Sequence, residues 1–188
     1  MHKLAERLRA AFETLAPGLS GHLNPGATAE DIAALETKLG VSLPDDMKGI
    51  YLEINGQGDG SPNLLDGTEF LSLARIAEEW TVWNDLLTSG TFADQRCEPS
   101  PGVRDDWWNA AWIPVTYNGS GDHHSVDLDP GPGGARGQLI MMWHDDSERP
   151  FLASSLSSWL DDLCRQMEAG ELVYSAEEYF AVVRASDI

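Results

Sequence analysis

The spacing of apolar residues changes along this chain from a helical period to a strand period, and then back to a helical one. Residues 1–16 place an apolar side chain at every third or fourth position, as one face of an α-helix requires. Residues 123–129 instead alternate from one side of a strand to the other. Helices first, closely spaced strands next and helices last predict the α+β class, with a mostly antiparallel meander packed against several helices.

Local start and stop signals divide the helical regions. Thr28 and Asp31 form the pattern of a capping box, and Gly40 is placed to end the helix that follows. Pro44 suits the first turn of a third helix, and Ser72 is a candidate N-cap of a fourth. The predicted helices cover 1–16, 28–40, 44–55, 72–88 and 155–170, and a last helix follows the capping-box pattern at 175–178 and carries Tyr179, Phe180 and Val183.

Short strands are predicted where apolar runs lie between turn residues. Pro114 suggests an edge strand or a bulge, because proline cannot donate to a ladder. Residues 89–106 are polar and irregular, and we interpret them as a family-specific insertion or a mobile loop. The Gly-rich run 131–137 lacks the Lys-Ser/Thr pair of a phosphate-binding loop and leads into a strand, so it predicts an ordinary loop. The predicted strands are 69–71, 112–117, 123–129, 138–144 and 151–152.

The length of 188 residues favours a single domain. We assign residues 1–188 to one domain with a core of about 20–170, an N-terminal helix and a C-terminal helical extension. The first residues lack the apolar run of a signal peptide, and no stretch approaches the ~20 apolar residues of a spanning helix. Cys97 and Cys164 fit no metal or redox spacing. These features predict a cytoplasmic protein.

The net charge of −19 restricts the partners that this chain can bind directly. Nearly all of the excess lies in residues 51–188, whose net charge is −17, against −2 for residues 1–50. A surface this negative repels the phosphates of nucleic acids and the anionic headgroups of membranes. The composition therefore argues against nucleic acid and membrane as partners, and favours a basic protein or a cation.

A cluster of histidines and aspartates at 121–129, with His144 one strand later, is the strongest candidate for a metal site. His123, Asp127 and Asp129 share one face of the predicted strand, whereas His124 points to the other. The competing interpretation, a solvated acidic sheet face with Asp-rich turns, is the one that we favour. We therefore assign no metal, no cofactor and no catalytic residue.

Two tryptophans, Trp107 and Trp108, directly follow Asp105 and Asp106 in the chain. Aromatic side chains flanked by acidic ones are what a binding patch for a basic partner would contain. Simple packing beneath a loop accounts for the same residues equally well. The sequence leaves these two interpretations open.

The ordered set of segments resembles the SMI1/KNR4 domain of the SUKH superfamily. The resemblance covers about residues 20–170, and no single segment is diagnostic alone. The chain departs from it in the long stretch 85–110, in the doubled His123-His124 and in the predicted helix after Gly170. The segments that carry the resemblance are 43–56, 69–73, 112–115, 121–122, 127–130, 137–140 and the helix 156–167.

The resemblance implies a protein-binding module without catalytic residues. Bacterial members are commonly cytosolic immunity proteins encoded beside secreted toxins, many of them nucleases, whereas fungal members regulate cell-wall synthesis. Our first hypothesis is a non-enzymatic immunity protein that binds the basic surface of a cognate bacterial toxin. The alternatives are a regulatory scaffold for envelope synthesis and a metal-dependent hydrolase that uses His123, Asp127, Asp129 and His144. The sequence leaves the toxin's identity and the oligomeric state open.

The candidate contact residues are acidic and aromatic side chains around the loops of the predicted meander. Each would supply an anion or an anchor against lysine and arginine side chains of the partner. The predicted partner-binding residues are Asp105, Asp106, Trp107, Trp108, Asp122, Asp127, Asp129, Asp145 and Asp146.

Overall fold

A computed structural model describes residues 1–177 and 180–188 of the chain. Its helices are α1 (His2–Leu15), α2 (Ala29–Leu39), α3 (Asp45–Tyr51), α4 (Leu73–Thr88) and α5 (Leu156–Ala169). Its strands are β1 (Glu69–Phe70), β2 (Glu98–Pro99), β3 (Trp112–Pro114), β4 (Thr116–Tyr117), β5 (His123–Asp127), β6 (Gln138–Met142), β7 (Glu148–Arg149), β8 (Phe151–Ala153), β9 (Leu172–Ser175) and β10 (Ala181–Arg184).

The central sheet contains four strands in the order β3-β5-β6-β8, and every neighbouring pair is antiparallel. Three smaller pairs surround it: β1 with β4 and β9 with β10 are antiparallel, and β2 with β7 is parallel. The predicted α+β class with an antiparallel meander is therefore confirmed. Pro114 lies on the edge strand β3, as its missing amide hydrogen requires.

The capping box predicted at the start of α2 is confirmed. The backbone N–H of Asp31 donates to the Thr28 hydroxyl at 3.1 Å, and the backbone N–H of Thr28 donates to the Asp31 carboxylate at 3.0 Å. Gly40 ends this helix in the left-handed conformation that glycine adopts at low cost. Because both signals are local, the sequence alone was enough to find this helix.

The two faces of the central sheet pack against different cores. Ile113, Val126 and Leu139 face the main core, which the apolar sides of the helices fill. Ile140 and Met142 face a second cluster formed with the tryptophans of α4 and of the 103–112 segment. The segment predicted as an insertion or a mobile loop thus covers one face of the sheet, and it includes β2.

This cover corrects the prediction of a solvated acidic sheet face. His123, Ser125 and Asp127 share one side of β5 as the alternation predicts, but all three are buried. The register pairs Asp127 with Gln138 and His123 with Met142, on the side of the sheet that carries the second cluster. The polar residues of this strand suggested an exposed face. The structure shows that the 89–108 segment covers that face.

The predicted strand 112–117 is divided in the structure into β3 and β4. The break falls at Val115, whose N–H donates to the carbonyl of His124 and whose carbonyl accepts from the N–H of Leu71. Strand β3 pairs with β5, whereas β4 pairs with β1. One apolar run therefore links two sheets, and its periodicity could not show which partner each half takes.

The predicted C-terminal helix is wrong. After Gly170 the chain forms strands β9 and β10, which pair antiparallel, and Glu178 and Tyr179 of the predicted helix lie outside the described residues. Strand β10 also pairs with the 63–67 segment: Val182 N–H donates to the Asn63 carbonyl at 2.8 Å. These long-range hydrogen bonds override the local capping signal at 175–178, and Val182 is buried as a result.

The Gly-rich run is a loop, as predicted, and it packs tightly against Gly102. The N–H of Gly131 donates to the Gly102 carbonyl at 3.0 Å, and a Cβ on Gly134 would collide with that same carbonyl. We expect Gly134→Ala to lower the free energy of unfolding by about 1–3 kcal/mol, as overpacking typically does. Chemical denaturation measures the loss. Gly21→Ala is the matched control, since a Cβ there meets no atom within 4 Å, and an equal effect of both variants would contradict this packing argument.

Candidate functional site

Arg149 is a fully buried arginine at the end of the acidic stretch 145–148. Its guanidinium donates to the carbonyls of Trp107, Asp146 and Glu148 at 2.9, 2.7 and 2.7 Å. The Trp107 ring lies over the guanidinium carbon, whose distance to the ring centroid is 5.0 Å. Burial lowers the pKa of Arg149, but an arginine keeps its charge in proteins. Three carbonyls and one ring therefore replace much of the water around this cation, while its buried Nε–H has no acceptor among the described residues.

Arg149 joins two turns that are distant in sequence. It bonds to the carbonyl of Trp107 in one turn and to that of Asp146 in the other. The parallel pairing of β2 with β7 adds two backbone bonds, from Glu98 N–H to the Ser147 carbonyl and from Ser100 N–H to the Arg149 carbonyl. These contacts bring together six carboxylates that we name the acidic face: Glu98, Asp105, Asp106, Asp145, Asp146 and Glu148.

The six carboxylates of the acidic face outnumber the cations beside them, which include the buried Arg149 and the exposed Arg96. Within the described part of the chain, the sole ion pair of these carboxylates is the 3.6 Å contact of Asp145 with His144. Glu98 and Glu148 stand directly opposite each other in the β2–β7 register, an arrangement of like charges that destabilises a sheet. Many acidic residues elsewhere are ion-paired, for example those around Arg7 and Arg75. The acidic face is thus a concentrated negative field at the surface.

Asp105 and Asp106 are held in fixed orientations by the neighbouring backbone and side chains. The N–H of Cys97 donates to Asp105 Oδ1 at 3.0 Å, and Asn109 Nδ2 donates to Asp106 Oδ2 at 2.9 Å. The Cys97 thiol donates to the carbonyl of Asp106 at 3.0 Å. Each carboxylate is therefore positioned through one oxygen before any partner arrives.

The two tryptophans next to these aspartates have different environments. Trp108 is 2% exposed and stacks on Trp83 with ring centroids 5.5 Å apart, while Phe92 stacks on Trp83 at 5.7 Å. Trp107 is partly exposed beside the acidic face. Packing therefore accounts for Trp108, and Trp107 remains a candidate contact residue.

A histidine–aspartate pair lies at the corner next to the acidic face. His144 donates to Asp122 Oδ1 from its backbone N–H and from Nδ1 of its ring, each at 2.9 Å. The hydrogen bond to Asp122 raises the pKa of His144. Burial alone would raise the pKa of Asp122, but the hydrogen bonds from His144 outweigh burial and lower it. Asp122, His144 and Asp145 each offer a ligand atom within 4.8 Å of the others.

The candidate metal cluster of His123, Asp127, Asp129 and His144, which the sequence analysis kept as an alternative, is not assembled. His123 Nε2 accepts from the Trp83 indole N–H at 3.1 Å, and its Nδ1–H donates to the Thr116 carbonyl at 2.7 Å, so both ring nitrogens are engaged. Burial lowers the pKa of His123 to about 4 and keeps the ring neutral at neutral pH. His123 and Asp127 also lie at opposite ends of β5, about 13 Å apart at the usual rise of a strand.

Two further aspartates among the predicted contact residues have structural partners. Asp127 is fully buried and accepts from Gln138 Nε2 and from the backbone N–H of Asp129, each at 2.9 Å, and burial raises its pKa. Asp129 forms an ion pair with Arg104 at 2.8 Å. Asp127 is thus a buried structural residue and is not part of the contact surface. The charge of Asp129 is compensated by Arg104.

The structure brings together five of the predicted contact residues, namely Asp105, Asp106, Trp107, Asp145 and Asp146, and places Asp122 next to them. The sequence analysis missed Glu98, Glu148 and the buried Arg149. The two glutamates lie on two-residue strands that meet only through the parallel pairing of distant segments. The sole sequence signal for Arg149 was its position directly after the acidic stretch 145–148.

The fold and the surface together define a small α+β domain whose distinctive feature is a fixed acidic face. The chain belongs to the SMI1 / KNR4 family (SUKH-1), whose model matches residues 26–162. The predicted family is thereby confirmed. In the described residues, we find no helix of the length and apolar content that a membrane crossing needs.

The curated relatives that this chain resembles are fungal proteins, and three of them are named as regulators. It is 28% identical to the cell wall biosynthesis/cell cycle regulator smi1 of Schizosaccharomyces pombe, over 81% of this chain and 33% of the relative. It is 25% identical to the cell wall assembly regulator SMI1 of Saccharomyces cerevisiae, over 88% of this chain and 40% of the relative. It is 23% identical to the glucan synthesis regulatory protein of Neurospora crassa, over 82% of this chain and 36% of the relative. The chain thus spans between a third and two fifths of the length of these relatives.

Proposed function

We propose that this chain is a non-enzymatic protein-binding domain that uses the acidic face to bind a partner with a basic surface. The observation that carries the proposal is the set of six carboxylates that Arg149 and the β2–β7 pairing hold together, with His144 as their sole ion-pair partner among the described residues. Complementary charge steers association and selects against partners of the same sign. Two cysteines without a disulfide support residence in the cytoplasm, where thiols stay reduced.

The setting that we propose for this binding is the regulation of cell-wall or envelope synthesis. The names of the fungal relatives support it, since three of them are called regulators of cell-wall assembly, cell-wall biosynthesis or glucan synthesis. The partner would then be a protein of the synthetic machinery that offers lysine and arginine side chains to the acidic face.

A second candidate function, neutralisation of a bacterial toxin, is favoured by the net charge of −19. A nuclease is basic at the groove that binds its substrate, so a strongly acidic antidote would be steered onto that groove and block it. The two candidates differ in the partner that the acidic face captures. A toxin encoded next to this chain supports the second, and an enzyme or regulator of envelope synthesis supports the first.

Removing the charges of the acidic face is expected to slow association with the partner. The variant Asp105→Asn, Asp106→Asn, Asp145→Asn and Asp146→Asn should reduce the association rate constant at least about tenfold at low salt, because steering by complementary charge contributes 10–1,000-fold. It should also flatten the dependence of that rate on ionic strength. Stopped-flow or surface-plasmon measurements at several salt concentrations give both quantities.

A matched control removes four carboxylates from other exposed positions: Glu30→Gln, Asp59→Asn, Glu171→Gln and Glu177→Gln. It changes the net charge by the same amount and should leave most of the rate and of its salt dependence intact. Equal losses in both variants would mean that net charge, and not the acidic face, governs binding.

A further inference from the structure

A cavity of about 330 Å³ opens beside the acidic face. It lies between the C-terminal end of α4, the segment 90–96 and the turn that carries Asp105 and Asp106. Phe92, Trp107 and Trp108 supply aromatic walls. At the lower end of the roughly 300–1,000 Å³ of ligand sites, this volume suits one long side chain better than a nucleotide.

We infer that this cavity is an anchor pocket for an arginine side chain of the basic partner. The inference rests on the proposed function and adds to it the place and the residue type of the central contact. Interfaces of this kind take most of their affinity from a few anchors, and arginine is enriched among them. An arginine combines a planar cation, which carboxylates and aromatic faces attract, with an apolar stem.

The two carboxylates at the cavity fit a guanidinium. Asp105 and Asp106 are each oriented through one oxygen, by Cys97 N–H and Asn109 Nδ2. Their other oxygens, Asp105 Oδ2 and Asp106 Oδ1, accept no hydrogen bond from the described residues. A guanidinium presents five N–H donors in a plane and can bridge such oxygens. Because the carboxylates are already held in place, little ordering entropy opposes the contact.

The aromatic walls supply the second part of the fit. A guanidinium within about 6 Å of an aromatic centroid is attracted to the face of the ring. Phe92 and Trp107 are partly exposed, so their rings are accessible to a side chain that enters the cavity.

One cation of the chain itself also lines the cavity. Arg96 is exposed, and its guanidinium donates to the Gln95 carbonyl at 2.6 Å, outside ion-pair distance of Asp105 and Asp106. Its charge nevertheless repels an incoming guanidinium. We therefore expect Arg96→Ala to strengthen the binding of an arginine, which is the opposite of the effect of removing the carboxylates.

N-acetyl-L-arginine amide is a probe of this pocket, because it carries the side chain without charged termini. In NMR titrations of the full chain, we expect saturable shifts of the indole N–H signals of Trp107 and Trp108. Its uncharged analogue, N-acetyl-L-citrulline amide, should bind at least about tenfold more weakly, since hydrogen bonds between charged groups are about twice as strong as neutral ones. Asp105→Asn with Asp106→Asn should weaken binding by a similar factor, and Arg96→Ala should strengthen it about two- to fivefold.

Asp59→Asn is the matched control, because Asp59 is an exposed carboxylate in a loop that contributes nothing to the cavity. The indole signals of Trp83 and Trp112 report whether each variant retains its fold. Equal affinity for arginine and citrulline amides, or an affinity that Asp105→Asn with Asp106→Asn leaves unchanged, would overturn the pocket.

A hepta-arginine peptide separates failure of the pocket from failure of the proposed function. Chemical-shift changes at Glu98 and Glu148 without changes at Trp107 and Trp108 would support binding by the acidic face and contradict the anchor pocket. Shifts at neither set would count against both. Shifts at both sets, reversed by added salt, are the expected result.

Discussion

Replacing Arg149 by methionine is expected to lower the free energy of unfolding by about 3–5 kcal/mol, because three backbone carbonyls lose their hydrogen-bond donor. The substitution removes the donors for three carbonyls, those of Trp107, Asp146 and Glu148. A buried polar group left without a partner costs about 1–3 kcal/mol. The same change detaches the two turns that form the acidic face, so partner binding should be lost together with stability.

Arg149→Lys separates charge from geometry. A lysine ammonium keeps the positive charge but cannot hold donors along the planar fork that reaches three carbonyls, so we expect it to recover only part of the loss. The matched control is Arg165→Met, which removes an exposed arginine whose ion pairs lie on the surface of α5 and contribute little. Urea denaturation gives the three free energies of unfolding. A loss at position 149 no larger than the loss at position 165 would contradict the role that we assign to Arg149.

Lowering the pH from 6.5 to 4 is expected to remove about 3 kcal/mol of stability through His123 alone. Burial lowers its pKa to about 4 in the folded chain, against 6.5 in the unfolded one. Between these two pKa values the unfolded chain binds more protons than the folded one. The contribution of His123 to stability is therefore fully present above pH 6.5 and is lost as the pH falls towards 4. A difference of about 2.5 pKa units corresponds to the quoted energy. Protonation would also place a proton on Nε2 facing the Trp83 donor.

The contribution of His123 can be measured by a variant that keeps its hydrogen bonds. In His123→Gln, a neutral amide can accept from Trp83 and donate to Thr116, so the loss of stability between pH 6.5 and 4 should become smaller by about 3 kcal/mol. Burial lowers the pKa of His124 in the same direction, so some loss remains. Denaturation curves collected at intervals of pH give the slope for each variant.

His144 provides a control of opposite sign. Its pKa is raised by the hydrogen bond to Asp122, so its contribution to stability is present at low pH and is lost as the pH rises through the folded pKa. His144→Gln should therefore make the acid loss slightly steeper. A pH profile that His123→Gln leaves unchanged would contradict the assignment of the acid sensitivity to His123.

The helix ends show which elements can be predicted from local sequence signals and which cannot. The capping box at Thr28 and the helix stop at Gly40 depend on residues within one or two turns, and both are found where the sequence predicts them. The signal at Ser175 is of the same kind, yet Ser175 ends strand β9, which pairs with β10. The difference is that β10 pairs with the distant 63–67 segment, and a local pattern contains no information about such a partner.

The candidate site could be predicted only in part for a related reason. Asp105 and Asp106 stood out because two tryptophans follow them, and these aspartates do lie at the acidic face. Glu98 and Glu148 became neighbours through the pairing of two short strands that are distant in sequence. The burial of Asp127 followed from the segment that covers β5, which the sequence presented as a polar loop.

The central claim is that the acidic face binds a basic protein, and capture from the native host tests it most directly. The wild-type chain, the variant without Asp105, Asp106, Asp145 and Asp146 carboxylates and the matched four-carboxylate control serve as baits at low and high salt. We expect the wild type and the control to retain one stoichiometric basic protein at low salt and to release it at high salt. The acidic-face variant should retain little of this protein even at low salt. Retention of the same protein by all three baits, at both salt concentrations, would contradict the claim.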